Sequence, residues 1–206
     1  MKQNFTIPKA TIQRYPIYLK ALRRLQKEKV SKIMSSELSD IVGIAPTTIR
    51  RDFSLIGSLG KQGYGYDVDR LISIFSEELG VNYNEKIILI GCGNLGHALL
   101  NYNKWNNVVG EIVCAFDINP NAITNVSIPV YGMDQLKANM PQGCRIAILC
   151  ITQNIQNTVD ELIDCGIRGI VNFTQEHFST PANVSVKNVD VVSSIQEIVL
   201  SVNSLK

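Results

Sequence analysis

The sequence predicts an α/β chain of two units, a short basic helical one followed by a parallel β-sheet with crossover helices. Three observations carry this. Residues 1–80 hold 13 Lys/Arg against 8 Asp/Glu and residues 81–206 hold 7 against 10, so a net charge of +2 conceals halves of opposite sign. The apolar run Lys86-Ile87-Ile88-Leu89-Ile90 opens into Gly91-Cys92-Gly93-Asn94-Leu95-Gly96, and the next apolar run ends in Asp117. Strand-like and helix-like runs then alternate, which requires parallel strands joined by crossovers.

The 206 residues suit a domain of roughly 80 residues joined to one of roughly 120. With 45% hydrophobic and 18% charged residues and no apolar run near 20 residues, no membrane span is expected. The polar N-terminus lacks a secretory h-region, so a cytoplasmic protein is expected. The five cysteines are odd in number and form no C-x-x-C pair, which argues against a disulfide framework or zinc site and predicts buried packing. No metal is expected.

In the first unit, Pro8 precedes a helical pattern of Ile12, Tyr15, Leu19, Leu22 and Leu25, which Pro16 should kink or restart. Ser35 reads as the cap of a short helix through Leu38 and Ile41, ended by Gly43. Pro46 suits the first turn of another, Thr47 to Ile56, closed by Gly57. Two short helices about a Gly-containing turn read as a helix-turn-helix, or equally as a helical hairpin with exposed arginines. The glycine-rich Gly57 to Tyr66, with Lys61 and two tyrosines, favours the former by supplying the β-hairpin of a winged helix, Tyr64 and Tyr66 packing mainly beneath it. The candidate DNA-contacting residues are Thr47, Thr48, Arg50, Arg51, Ser54, Lys61, Gln62 and Tyr64, with the arginines as base readers or phosphate clamps. A helix from Asp67 to Glu78 leads to a boundary around Gly80-Val81-Asn82.

In the second unit the glycines allow a tight turn and close approach to a pyrophosphate, and a carboxylate about 20 residues on accepts hydrogen bonds from a ribose. A Rossmann-type dinucleotide site is the reading, and Asp117 favours NAD or NADH over their 2′-phosphorylated forms. Leu95 to Tyr102 is the first crossover helix, Ile112 to Asp117 the second strand, and Leu136 lies in a helix; Ile146 to Leu149 and Gly169 to Asn172 are strands flanking a helix from Val159 to Cys165. His97 and His177 are the two histidines, and neither comes with the partner a dehydrogenase would need. Dinucleotide binding without catalysis is therefore the better reading, with a small NAD-dependent oxidoreductase as the alternative. The stripe Ile195, Ile198, Val199, Val202 and Leu205 predicts a terminal helix that docks on its own core or on a second subunit.

The segments Ala45 to Ser54, Gly63-Tyr64-Gly65-Tyr66-Asp67-Val68, Gly91 to Tyr102, Ala115-Phe116-Asp117, Gly166 to Phe173 and Asn188-Val189-Asp190 together resemble the Rex family of redox-sensing transcriptional repressors, from Ile7 to Leu205. The resemblance implies a homodimer on an inverted-repeat operator, released when NADH replaces NAD, with the C-terminal helix exchanged between subunits. It implies residues 1–81 for DNA binding, 82–190 for NAD(H) and 191–206 for dimerisation. Gly91, Gly93, Asn94, Leu95 and Gly96 would hold the pyrophosphate and Asp117 the ribose, with Cys92, Cys150, Ile151, Thr152, Asn172 and Phe173 also on the dinucleotide. Tyr102 with Asp190 of the partner subunit would form a redox-responsive contact, paired with Lys20. The chain departs from the family pattern at Cys150-Ile151-Thr152 (usually Thr-Val-Pro), Thr174-Gln175 (usually Ala-Pro), Lys20 (usually Arg) and Gln62 (often Arg). The departures at Cys150-Ile151-Thr152 and Thr174-Gln175 fall on the nicotinamide side, Lys20 on the contact with Asp190 and Gln62 in the wing, so a repressor with a purely structural dinucleotide is a second alternative.

Overall fold

The computed structural model describes residues 7–57, 59–61, 64–78, 85–102 and 109–204. The chain divides into two compact units, Met1–Asn82 and Tyr83–Lys206.

In the first unit, α1 (Lys9–Lys27) lays Tyr15, Tyr18, Leu19, Leu22 and Leu25 into a core shared with α2 (Ser35–Val42), α3 (Pro46–Ser54) and α4 (Val68–Glu78). Helix α1 runs through Pro16 without restarting. Pro16 removes the bond to the carbonyl of Ile12, and both residues lie on the exposed side of α1, where water can replace that bond. Ile12 accordingly leaves the apolar stripe, and Tyr18 replaces it inside.

Ser35 is the first helical residue of α2 rather than its cap; it is buried, and its hydroxyl accepts a bond from Arg50. Glu37 closes this terminus by accepting the Met34 backbone N–H at 2.7 Å. Gly43 ends the helix at φ 69°, left-handed backbone that glycine adopts without penalty.

Strands β2 (Gly60–Lys61) and β3 (Gly65–Asp67) form the expected hairpin, and β1 (Lys32–Ile33) adds a third antiparallel strand beside β3. Phe53 of α3 packs edge-on against Tyr66 (4.9 Å between centroids), Tyr18 (5.4 Å) and Phe75 (5.3 Å). Truncating such a fully buried ring costs about 3–5 kcal/mol.

The second unit is a six-stranded all-parallel sheet in the order β6-β5-β4-β7-β8-β9. Its strands are β4 (Glu85–Ile90), β5 (Gly110–Asp117), β6 (Val130–Gly132), β7 (Ile146–Leu149), β8 (Gly169–Asn172) and β9 (Ser185–Asn188). Ile87 and Leu89 face one apolar cluster and Ile88 and Ile90 the other, as a strand covered on both faces must. The crossover helices are α5 (Asn94–Leu100) and α6 (Ile155–Asp164). Leu136 does not lie in an α-helix: it follows a single 3-10 turn, Met133–Gln135, and is buried there.

Helix α7 (Val191–Ser204) buries none of its residues; Val191, Val192, Ile195, Ile198, Val199, Leu200 and Val202 are each between 52% and 67% exposed. Leu205, the predicted end of the stripe, and the predicted boundary at Gly80-Val81-Asn82 lie outside the described residues. No helix among the described residues is long and apolar enough to cross a membrane.

Candidate functional site

In the first unit, Thr47, Arg50, Arg51 and Ser54 lie exposed on α3 and Thr48 is half-buried. Arg50 donates to the Ser35 hydroxyl at 2.9 Å, which fastens α3 to α2. Lys61 lies in β2, and Gln62 lies outside the described residues. Tyr64 does not pack beneath the hairpin, being 72% exposed in the turn before β3; Tyr66, within β3, takes that role against Phe53.

A cluster that sequence reasoning missed lies on the opposite side of α3. Asp52 is fully buried and accepts four bonds from α1: Thr11 Oγ1 at 3.0 Å, Arg14 Nε at 2.6 Å, Arg14 Nη2 at 2.7 Å and the Tyr18 hydroxyl at 2.7 Å. Burial alone would raise the Asp52 carboxyl, but the hydrogen bonds from Arg14, Tyr18 and Thr11 outweigh it and hold it below the ordinary range. The same contacts raise Arg14, while burial and then Asp52 raise Tyr18.

In the second unit, the strand order reverses between β4 and β7, the topological switch point where open parallel sheets bind ligands. A cavity of about 850 Å³ opens there. The loop after β4 contributes Gly91 and Gly93, β5 contributes Asp117, and the segment after β7 contributes Cys150, Ile151 and Thr152. These six predicted residues converge. The wall continues through Leu136 and through residues the sequence reading did not single out: Ile118, Met133, Lys137, Gln153, Asn157, Thr158 and Glu161. The switch-point rule could have flagged those at the start of α6.

Each glycine has its own reason. At Gly91, φ is 91° and a Cβ would strike Ile151 and the Cys150 backbone at 2.8–2.9 Å. At Gly96 a Cβ would collide with the Gly91 carbonyl, so α5 can start hard against β4 only with glycine there. At Gly93 a Cβ would meet nothing within 4 Å, which leaves open space at the N-terminus of α5. Asp117 accepts the Cys92 N–H at 2.7 Å through Oδ2 and the Asn119 N–H at 2.8 Å through Oδ1. Each oxygen keeps a lone pair for a further donor. The residues present thus fit the adenosine diphosphate half of a dinucleotide: an open cradle at Gly93, a seated carboxylate, and apolar walls from Ile118, Met133 and Leu136.

Other predicted residues lie off the cavity wall. Asn94 and Leu95 are exposed at the start of α5, and the Cys92 side chain is buried beneath the loop. Asn172 is buried, donating to Asn188 Oδ1 at 3.0 Å and accepting the Thr174 N–H at 2.9 Å, so its side chain ties β8 to β9. Phe173 packs on the Ile87 and Leu89 side of the sheet.

Lys20 is exposed on α1, and Tyr102 is half-exposed just after α5. Asp190 caps α7, accepting the Ser193 N–H at 2.9 Å and its hydroxyl at 2.6 Å, bonds that lower its carboxyl. His97 donates from Nε2 to the Thr124 carbonyl at 2.9 Å and stitches α5 to the loop after β5. Burial pushes the Cys92 thiol up to about 12, with Asp117 adding to it, and Cys150 to about 11. Both are neutral thiols at physiological pH. No group of three or more metal-ligating side chains is found among the described residues.

Family models match both units: one described as a putative DNA-binding protein N-terminus at residues 6–54, and one described as a CoA binding domain at residues 82–176. The chain is 44% identical over 210 residues to the redox-sensing transcriptional repressor Rex of Lactobacillus acidophilus, covering 99% of each. It is 43% identical over 198 residues to the repressor of the same name from Lactiplantibacillus plantarum, covering 94% of this chain and 88% of that one. Among solved structures, RSP, a Rex-family repressor, in complex with beta-NAD+ and operator DNA matches with a TM-score of 0.89 at 32% identity, covering 98% of this chain and 94% of that chain. RSP in complex with beta-NADH matches with a TM-score of 0.85 at 30% identity, covering 98% and 96%. The chain belongs to the Rex family of redox-sensing transcriptional repressors.

Proposed function

We propose that this chain is a cytoplasmic, homodimeric repressor that binds an inverted-repeat operator and leaves it when NADH replaces NAD. The observation that carries the reading is the switch-point cavity, where two glycines and a seated aspartate converge in one unit while the other unit presents Arg50 and Arg51 on the exposed face of a short helix. Residues 1–81 form the DNA-binding part, 82–190 the NAD(H)-binding part and 191–206 the dimerisation helix.

Gly91, Gly93, Asn94, Leu95 and Gly96 receive the pyrophosphate and Asp117 the adenosine ribose; Cys92 shapes the loop from below. Cys150, Ile151, Thr152, Asn172 and Phe173 face or support the nicotinamide half. Thr47, Thr48, Arg50, Arg51, Ser54, Lys61, Gln62 and Tyr64 meet the DNA, and Lys20, Tyr102 and Asp190 couple the two activities. The bound dinucleotide supplies one difference for the protein to read, a positive charge on the oxidised nicotinamide ring that the reduced ring lacks. Moving the repressor from 99:1 to 1:99 operator-competent requires roughly 5.5 kcal/mol of preference between its two states.

Lys20 is a point charge where a bidentate arginine would hold a carboxylate more rigidly, and Thr152, Thr174 and Gln175 add hydrogen-bonding groups beside the ring. A smaller contrast between NADH and NAD follows. Operator affinity in saturating NADH and in saturating NAD tests the reading: weaker binding in NADH supports it. Equal affinities would leave a repressor with a structural dinucleotide.

A further inference from the structure

The buried Asp52 cluster belongs neither to the dinucleotide cavity nor to the DNA-facing side chains, yet it ties the last turn of α3 to α1. Around the helix, Asp52 lies roughly half a turn from the face formed by Thr47, Arg51 and Ser54. The apolar anchors of α3, Ile49 and Phe53, are fully buried but non-directional, so they resist separation of the helices more than rotation about the axis. The bonds from Thr11, Arg14 and Tyr18 are directional, and the Arg14 guanidinium holds both carboxylate oxygens at once.

A buried ion pair is weak evidence for stability, since an apolar replacement of similar volume is often as stable; fixing one register is its best-attested use. Arg14 has a side chain 25% exposed and Asp52 one 1% exposed, so the charge withdrawn from water is the carboxylate on the helix that faces the nucleic acid. The cluster also neutralises an acid that would otherwise sit one residue from Arg51.

We infer that Asp52, clamped by Arg14 and Tyr18, is a positioning residue for sequence recognition: it sets the rotation of α3 and hence which bases its exposed side chains reach. The inference rests on the reading of α3 as the recognition helix. A specificity role and a merely structural one differ in what they move. Loss of folded protein weakens binding to all DNA alike, whereas a misrotated helix keeps its phosphate contacts and loses base contacts.

The test uses the full chain and an operator selected from random inverted repeats. Arg14→Lys keeps the charge and removes the fork, Tyr18→Phe removes one donor, and Asp52→Asn removes the charge at constant shape. Each variant is measured for thermal unfolding, NADH affinity, salt slope, and affinity for operator and for a scrambled duplex. The expected result for Arg14→Lys is an operator-to-scrambled ratio reduced roughly tenfold, the scale of misplacing a base-reading contact. NADH affinity, salt slope and scrambled-DNA affinity stay at wild-type values. A wild-type ratio in both Arg14→Lys and Tyr18→Phe overturns the inference even if Asp52→Asn fails to fold. A wild-type chain that shows no preference for any duplex would instead overturn the recognition-helix reading, and the positioning role with it.

Discussion

The Asp117 carboxylate accepts the backbone N–H of Cys92 at 2.7 Å, joining the end of β5 to the glycine loop that follows β4. Twenty-five residues apart in sequence, the two form one rigid wall. Asp117 therefore holds the loop in shape and keeps further lone pairs free, which the proposed function gives to a ribose.

Replacing Asp117 by Ala should weaken NADH binding by about 2 kcal/mol, the value of a hydrogen bond to a charged group. The preference of NADH over NADPH should narrow, because the repulsion of a 2′-phosphate goes with the carboxylate. Calorimetry on both cofactors checks this, and equal wild-type affinities for NADH and NADPH would remove the role assigned to Asp117.

Arg50 and Arg51 should carry operator binding. Losing a base-reading arginine costs ~1–3 kcal/mol and relaxes one base pair, while losing a phosphate contact weakens all sequences and lowers the salt slope. Because Arg50 donates to Ser35 in this structure, its alanine variant also loosens the α2–α3 contact, so the salt slope of Arg51→Ala is the cleaner reading. Operator binding at wild-type strength by the double alanine variant would show that another surface reads DNA.

Removing residues after Asp190 should give monomers. The seven exposed apolar side chains of α7 have no cover within the chain among the described residues, and a surface of that character needs a second apolar face. Sedimentation decides the point; a truncated chain that remains a folded dimer would place the interface elsewhere.

The thiols make a prediction about pH. Cys92 and Cys150 bind their protons more tightly folded than unfolded, with native values of about 12 and about 11 against an ordinary value of 9.0. Their contribution to stability is whole below pH 9 and is lost as pH rises through the native values. At neutral pH both should resist alkylation in the folded protein and react readily once it is unfolded. Mass spectrometry after iodoacetamide treatment checks it; rapid modification of native Cys92 at pH 7 would mean that the loop opens.

The glycine loop was legible in sequence because close backbone approach leaves glycine no substitute, at Gly96 above all. The core strand β4 was legible because a strand buried on both faces is continuously apolar. The Asp52 cluster was not legible: its partners Thr11, Arg14 and Tyr18 lie 34 to 41 residues away, and an aspartate on a short helix looks like a solvated charge until α1 is seen to cover it. Strands β1 and β9 escaped because two to four residues at a sheet edge carry too little periodicity. Pro16 misled because its usual penalty assumes a helix interior in which the lost bond cannot be replaced, and Ile12 and Pro16 lie on the exposed side of α1.

All six strands of the second unit point the same way, so the glycine loop and the Cys150–Thr152 segment both leave the sheet at its carboxyl edge while the apolar clusters lie between the sheet and its helices. Most of the cavity lining is thereby set apart from the packing that keeps the sheet folded. The departures from the family pattern at Cys150, Thr152, Thr174 and Gln175 all follow β7 and β8, and on the proposed function they would alter the threshold of the response without unpicking the scaffold beneath. For protein engineering, that edge is the place to write a sensor with a different set point.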